Sequence, residues 1–112
     1  MSRDPRLYLE DALAAAEEAV TLARGLDLAA FAGSRSTYLA VERSLFVVGE
    51  ALSHMPSEAR AAHPGIPWSD IIGLRNILAH GYFGVDPAIL WRTVEEDMPV
   101  LVARLRAILG TD

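Results

Sequence analysis

Apolar residues recur at intervals of three and four along most of this chain, the spacing that places them on one face of a helix. The first run begins after Asp4-Pro5, where a capping residue is followed by a proline at the first helical position. It ends at Gly25, and its periodic positions are Leu9, Leu13, Ala16, Val20 and Ala23. This pattern predicts a first helix between the two signals.

A second, longer apolar run follows a predicted short turn over residues 27–33, in which Leu28 and Phe31 are expected to face inward. Gly33-Ser34 combines a helix breaker with a cap, and Pro56 ends the run. Its periodic positions are Tyr38, Val41, Leu45, Val48, Leu52 and Met55. They predict a second helix of about five turns that packs against its neighbours at a shallow angle. Residues 57–62 could add one or two helical turns.

A third helix is predicted from Trp68 to His80, with Gly81 as its C-terminal breaker. Asp86-Pro87 then repeats the cap and proline that open the first helix. The apolar positions of this fourth helix are Leu90, Val94, Met98, Leu101 or Val102, Leu105 and Ile108. Because Pro99 has no N–H for the preceding turn, we expect it to kink the fourth helix or split it in two.

The alternation typical of β-strands does not persist anywhere in the sequence, so the predicted fold class is all-α. We expect an up-and-down helical bundle of four to five helices. The 112 residues are close to the usual size of one domain, which predicts a single domain over residues 1–112.

Composition narrows the possible environments and partners. The chain has no cysteine, which is typical of a reducing compartment, and no apolar run long enough for a membrane span, so we expect a cytoplasmic protein without a membrane partner. Its formal net charge of −5 argues against a generally basic surface that coats nucleic acid. Any RNA site must therefore be local.

Arg75 interrupts the apolar face of the third predicted helix. An ion pair with Glu42 or Glu50 of the second helix is the ordinary explanation, because a permanently charged side chain on a packed face requires an anion, a wet cleft or a subunit interface. His80, just before Gly81, is likewise explained as a cap for the last carbonyl groups. Projection at about 100° per residue gives the rest of this face as Trp68, Ile71, Ile72, Leu78, Ala79 and Tyr82. Periodicity alone leaves the structural and functional explanations open.

The same segment also matches a known motif. Arg75 and His80 are separated by four residues, polar Asn76 directly follows the arginine, and Tyr82 completes the form Arg-x-x-x-x-His-x-Tyr. This form resembles the motif of the HepT-like ribonuclease toxins of the HEPN superfamily. Further similar segments follow in the family's order: Val48-Gly49-Glu50-Ala51, His63-Pro64-Gly65-Ile66-Pro67-Trp68, Ile71-Ile72-Gly73-Leu74-Arg75-Asn76 and Tyr82-Phe83-Gly84-Val85-Asp86. The resemblance covers nearly the whole chain.

The resemblance implies an endoribonuclease that needs neither metal nor cofactor. In that chemistry the ribose 2′-hydroxyl attacks its own phosphate, which requires proton transfer and stabilisation of negative charge. His80 suits the proton transfer, since the ordinary histidine pKa lies near neutrality, and Arg75 supplies a fixed positive charge. Asn76 is expected to position the phosphate or hold the His80 ring. Glu50 and Gly81 are expected to support the site.

One chain supplies a single motif histidine, whereas the reaction is best served by two proton-transfer groups. The resemblance implies a homodimer in which Arg75, Asn76 and His80 of both subunits form one composite site. His54 and His63 do not form a metal-ligand set with His80 in any standard spacing, and we interpret them as helix-end or loop residues. We therefore predict no metal.

The resemblance also implies an RNA substrate, expected to be tRNA or mRNA, and a partner. In this family the toxin is silenced by an antitoxin, a minimal nucleotidyltransferase resembling MntA, that attaches AMP to the motif tyrosine, which corresponds to Tyr82 here. The alternative from another functional class is a non-catalytic nucleotide- or substrate-binding subunit of a nucleotidyltransferase. A plain helical dimerisation module would leave the arginine on the packed face unexplained.

Overall fold

The computed structural model describes residues 3–81 and 84–110, and all regular secondary structure within these ranges is helical. The helices are α1 (Pro5–Ala23), α2 (Leu28–Ala32), α3 (Arg35–Ser53), α4 (Ser57–Ala62), α5 (Trp68–His80), α6 (Pro87–Arg92) and α7 (Met98–Leu109), with a π-helical segment, Thr93–Asp97, between the last two. The predicted all-α fold class is confirmed. None of the described helices combines the length and hydropathy needed to cross a bilayer.

Both Asp-Pro pairs begin helices as expected. The Asp4 carboxylate accepts a hydrogen bond of 2.9 Å from the backbone N–H of Arg6 at the start of α1. Asp86 does the same for Ala88 at the start of α6, also at 2.9 Å. The first N–H groups of a helix have no partner within it, so these carboxylates satisfy donors that would otherwise require water.

The core lies around α3, which contacts both α1 and α5, while α1 also packs against α7. All six apolar positions predicted for the second helix are buried: Tyr38, Val41, Leu45, Val48, Leu52 and Met55. The contacts of α5 with the rest of the bundle are made mainly through α3. Much of the surface of α5 is therefore left exposed.

Pro99 divides the last helical stretch, as expected, and it does so through a π-helical turn. Thr93–Asp97 is π-helical, and Pro99 is the second residue of α7. Since proline has no N–H to donate to the preceding turn, the wider π turn accommodates the interruption without ending the helical path. Val94 and Met98 remain buried across the junction.

The segment predicted as a turn over residues 27–33 contains the short helix α2. Asp27 caps this helix by accepting a 2.8 Å hydrogen bond from the backbone N–H of Ala30, a cap that the prediction overlooked. Phe31 is fully buried, as expected, whereas Leu28 is 37% exposed, so the inward placement of Leu28 was wrong. A helix of five residues presents only one of its faces to the core, and Phe31 occupies it.

Candidate active site

Arg75 of α5 forms an ion pair with Glu50 of α3. Its Nη2 donates to Glu50 Oε1 at 3.0 Å and to Oε2 at 3.3 Å. Sequence periodicity left Glu42 and Glu50 open as partners, and the structure selects Glu50. The two side chains are only partly buried, with exposed fractions of 30% for Arg75 and 36% for Glu50. The guanidinium therefore has an anionic partner but remains accessible from solvent.

Gly49 explains how the arginine can lie between two packed helices. A Cβ added to Gly49 would overlap the Cβ of Arg75 and would lie 3.1 Å from the backbone carbonyl oxygen of Ile71. The missing side chain thus lets α3 and α5 approach closely at this level. That approach brings Glu50, the next residue of α3, to the guanidinium.

Asn76 links Arg75 to His80 through two different groups. Its side-chain Oδ1 accepts a 2.7 Å hydrogen bond from Nη1 of Arg75, and its backbone carbonyl oxygen lies 2.9 Å from Nδ1 of His80. The contact of Asn76 with the histidine ring is made by its backbone carbonyl, while its side-chain amide contacts the arginine. Because a carbonyl oxygen only accepts, the contact with His80 is a hydrogen bond when Nδ1 carries the proton. Nε2 is then free to accept another proton.

Part of the Arg75 guanidinium is not used by the protein. Nη1 and Nη2 are bonded to Asn76 and Glu50, whereas Nε is buried and has no hydrogen-bond partner among residues 3–81 and 84–110. A guanidinium carries five N–H donors, so the pair with Glu50 fixes its orientation without using all of them. Because Nε is buried, any donor offered to an anion such as phosphate must come from the remaining N–H groups of Nη1 and Nη2.

The helix end beside His80 is shaped by Gly81 and by the turn that follows. Gly81 is the C-cap of α5, as predicted, and its N–H donates to the carbonyl oxygen of Ile77 at 2.8 Å. Beyond it, the buried hydroxyl of Tyr38 donates to the carbonyl oxygen of Val85 at 2.6 Å and accepts from the Val85 N–H at 2.7 Å. This pair of bonds anchors the returning chain to α3. Tyr82 lies outside the described residues.

The apolar face predicted for α5 is narrower in the structure. Ile71 is buried, the side chains of Ile72, Leu78 and Trp68 are half-buried, and Ala79 is exposed. Because α5 contacts the bundle mainly through α3, only a narrow strip of its surface becomes covered.

Arg75 lies on the side of α5 that packs against α3, whereas the exposed side of α5 carries Asn76 and His80. Asn76 and His80 are exposed there together with Ile77, whose exposed fraction is 58%. Ile77, which lies between Asn76 and His80 in the sequence, thus exposes a large apolar side chain to solvent.

Sequence reasoning missed His54, which was interpreted only as a helix-end residue. It is the C-cap of α3, as that interpretation requires, but its Nε2 also lies 3.7 Å from Glu50 Oε1. The i,i+4 spacing of Glu50 and His54 was a signal available in the sequence. His63, by contrast, is the C-cap of α4, and its backbone carbonyl accepts a 3.0 Å bond from Nε1 of Trp68.

Three or more His, Cys, Asp or Glu side chains do not gather into a metal-binding group within the part of the chain that the structure describes.

Comparison with known proteins identifies the family. The family model described as "Ribonuclease HepT-like" matches residues 9–108. The chain is 37% identical to a protein of Thermococcus cleftensis named "Probable ribonuclease HepT", over 96% of this chain and 98% of that protein. It is also 37% identical to a Methanocaldococcus jannaschii protein named a "Putative RNase", over 87% of this chain and 89% of that protein.

A third relative, from Caldanaerobacter subterraneus subsp. tengcongensis and also named a "Putative RNase", is 36% identical over 96% of each chain. No solved structure matches the chain. The family match spans nearly all of α1 to α7, including the whole of α3 and α5, and the all-helical fold fits it. The chain therefore belongs to the HepT-like ribonuclease family.

Proposed function

We propose that this protein is a metal-independent endoribonuclease whose reaction is carried by Arg75, Asn76 and His80. The observation that supports this most directly is the double role of Asn76. It holds the Arg75 guanidinium through its amide and the His80 ring through its backbone carbonyl. A fixed cation and a proton-transfer group are thereby kept at adjacent turns of one helix end.

The proposed reaction is attack of a ribose 2′-hydroxyl on the adjacent phosphorus. Nε2 of His80 accepts the hydroxyl proton, the new bond from O2′ to phosphorus forms, and the bond from phosphorus to O5′ breaks. The products are a 2′,3′-cyclic phosphate and a 5′-hydroxyl, whose proton comes from a second acid. Arg75 stabilises the negative charge that develops on the phosphate oxygens.

The second acid is the reason for proposing a homodimer. A two-fold arrangement of two α5 helices supplies a second His80 and a second Arg75 to the same cleft. The exposed Ile77, which lies on the same face as Asn76 and His80, supports this arrangement, because an interface would cover its apolar surface. The two arginines of such a dimer would also make the cleft locally basic, although each chain carries a net charge of −5.

We propose that in the cell the enzyme acts as a cytoplasmic toxin that cleaves tRNA or mRNA. A cognate nucleotidyltransferase antitoxin resembling MntA would silence it by attaching AMP to Tyr82. Tyr82 is the seventh residue after Arg75 in the sequence, and AMP on its hydroxyl would add a negatively charged phosphate to the motif segment. Such a phosphate would compete with RNA for the same cation.

The experiment is incubation of the purified protein with total tRNA in excess EDTA, followed by identification of the product ends. The proposed reaction yields 2′,3′-cyclic phosphate or 3′-phosphate ends and 5′-hydroxyls. A strict magnesium requirement with 3′-hydroxyl products contradicts the mechanism. Nucleotide binding without cleavage of any RNA favours the alternative, a non-catalytic binding subunit of a nucleotidyltransferase.

A further inference from the structure

His54 and Tyr8 form an exposed pair of stacked rings near the motif. Their ring centroids are 5.1 Å apart and their planes differ by 13°. More than half of the His54 side chain, 55%, remains exposed, so the stack on Tyr8 does not enclose the histidine. The guanidinium of Arg3 lies 4.9 Å from the centre of the Tyr8 ring. Two aromatic rings and a cation are thus assembled on the surface where α1 meets the end of α3.

This ring pair is connected to Arg75 through a single carboxylate. Glu50 Oε1 accepts from Arg75 Nη2 at 3.0 Å and lies 3.7 Å from His54 Nε2. The exposed histidine ring and the motif guanidinium are therefore neighbours on either side of Glu50. A nucleotide whose phosphate contacts Arg75 has its own base, or that of the adjacent nucleotide, within reach of His54.

We propose that His54, supported from behind by Tyr8, is a stacking platform for a nucleobase of the RNA bound at Arg75. This proposal rests on the proposed ribonuclease function and adds a binding subsite to it. Unpaired RNA bases stack on aromatic side chains, histidine included, and such stacking tolerates any base because each presents a π face. Tyr8 restricts the orientation of the histidine ring before RNA binds, which lowers the entropic cost of stacking.

A purely electrostatic role is the competing explanation for His54. A protonated His54 could attract the backbone phosphates or draw Glu50 away from Arg75. Either effect depends on charge and not on the presence of bases in the ligand. A ligand with bases and one without them therefore separate the two explanations.

The test measures dissociation constants by fluorescence anisotropy for two oligomers of equal length. One is a 2′-O-methyl adenosine dodecamer, which lacks the nucleophilic hydroxyl, and the other is a dodecamer of base-free tetrahydrofuran phosphates. The proteins are the parent, His54→Leu and His54→Phe. Since His54 is exposed and caps α3 through its backbone, circular dichroism should show all three folded.

The measured quantity is the preference for the base-bearing oligomer, taken as the ratio of the two dissociation constants. We expect His54→Leu to lower this preference by about five-fold or more, and His54→Phe to retain it. Three results would each contradict the proposed stacking platform. They are an equal weakening of binding to both oligomers in His54→Leu, loss of the preference in His54→Phe, and a parent protein that has no preference. Cleavage of tRNA by the parent protein decides the proposed function separately.

Discussion

Gly49 of α3 and Arg75 of α5 are in close contact, because the space that a Cβ at position 49 would need is taken by the Cβ of Arg75. A Cβ added to Gly49 would also lie 3.1 Å from the Cγ of Arg75 and 3.1 Å from the carbonyl oxygen of Ile71. Neither atom is the far end of a flexible side chain, so the helices must separate to admit even a methyl group.

Gly49→Ala is therefore expected to lower the free energy of unfolding by about 1–3 kcal/mol and to impair RNA cleavage by displacing Arg75. Urea unfolding and a cleavage assay measure the two effects. The matched control is Gly73→Ala on α5, where an added Cβ would meet no atom within 4 Å from the rest of the described residues, apart from its chain neighbours and the nearby backbone of its own helix. This variant should be at least as stable as the parent. If Gly49→Ala behaves like Gly73→Ala, the close approach at Gly49 does not position the arginine.

Ile77 tests the proposed dimer. Ile77→Asp places a charge on the exposed face of α5 that carries Asn76 and His80, so an interface on this face should dissociate. Light scattering should then show a monomer, and cleavage should be lost with it. Ile89→Asp on α6 is the matched control, since Ile89 is similarly exposed, at 47% against 58% for Ile77. A fully active monomeric Ile77→Asp protein would rule out a composite site.

Tyr38→Phe tests the anchor of the turn that follows the motif. Its hydroxyl holds both backbone groups of Val85, so its removal is expected to cost about 1–3 kcal/mol at neutral pH. Burial raises the pKa of Tyr38 above its ordinary value, although the hydrogen bond with Val85 by itself lowers this pKa. The unfolded chain therefore loses this proton near pH 10, before the folded protein does.

The contribution of Tyr38 to stability is thus fully present below about pH 10 and is lost as the pH rises through the folded-state pKa. The parent should lose more stability between neutral and strongly alkaline pH than Tyr38→Phe does. Urea unfolding at several pH values measures both slopes. Identical slopes would mean that Tyr38 titrates as freely in the folded protein as in the unfolded chain.

Tyr82→Phe tests whether the antitoxin silences the nuclease by attaching AMP to Tyr82. This change removes the acceptor oxygen and keeps the ring, so nuclease activity should persist while the antitoxin no longer silences it. Mass spectrometry of the parent after co-expression with the antitoxin should locate AMP on Tyr82. AMP on another residue, or silencing of Tyr82→Phe as strong as that of the parent, would refute this switch without affecting the nuclease assignment.

Local chemistry made the helices predictable from sequence. The two Asp-Pro caps and the six-residue seam of α3 are found where they were predicted, because capping and periodicity depend on neighbouring residues in the chain. The extent of burial was less predictable. Ala79 shares the predicted apolar face of α5 but is exposed, since periodicity does not reveal how few neighbours a helix will have.

The motif positions were predictable, whereas their partners depended on how α3 and α5 pack. Both Glu42 and Glu50 lie on α3, and the packing of α3 against α5, with Gly49 against Arg75, brings Glu50 to the guanidinium. The division of roles within Asn76 was equally hidden, since its side chain and its backbone carbonyl contact different partners. The pairing of Arg75 with Glu50 depends on three-dimensional packing, whereas both contacts of Asn76 are local contacts within α5 whose atoms the spacing alone does not specify.

The cleavage rate of His80→Ala in EDTA tests directly whether His80 transfers the proton in RNA cleavage. The ring is exposed at the end of α5, so the variant should fold like the parent. His63→Ala, a histidine at the end of α4, is the matched control and should cleave like the parent. Cleavage by His80→Ala should be at least about 10²-fold slower than cleavage by the parent. A folded His80→Ala protein that cleaves RNA at the parental rate would show that His80 does not transfer the proton.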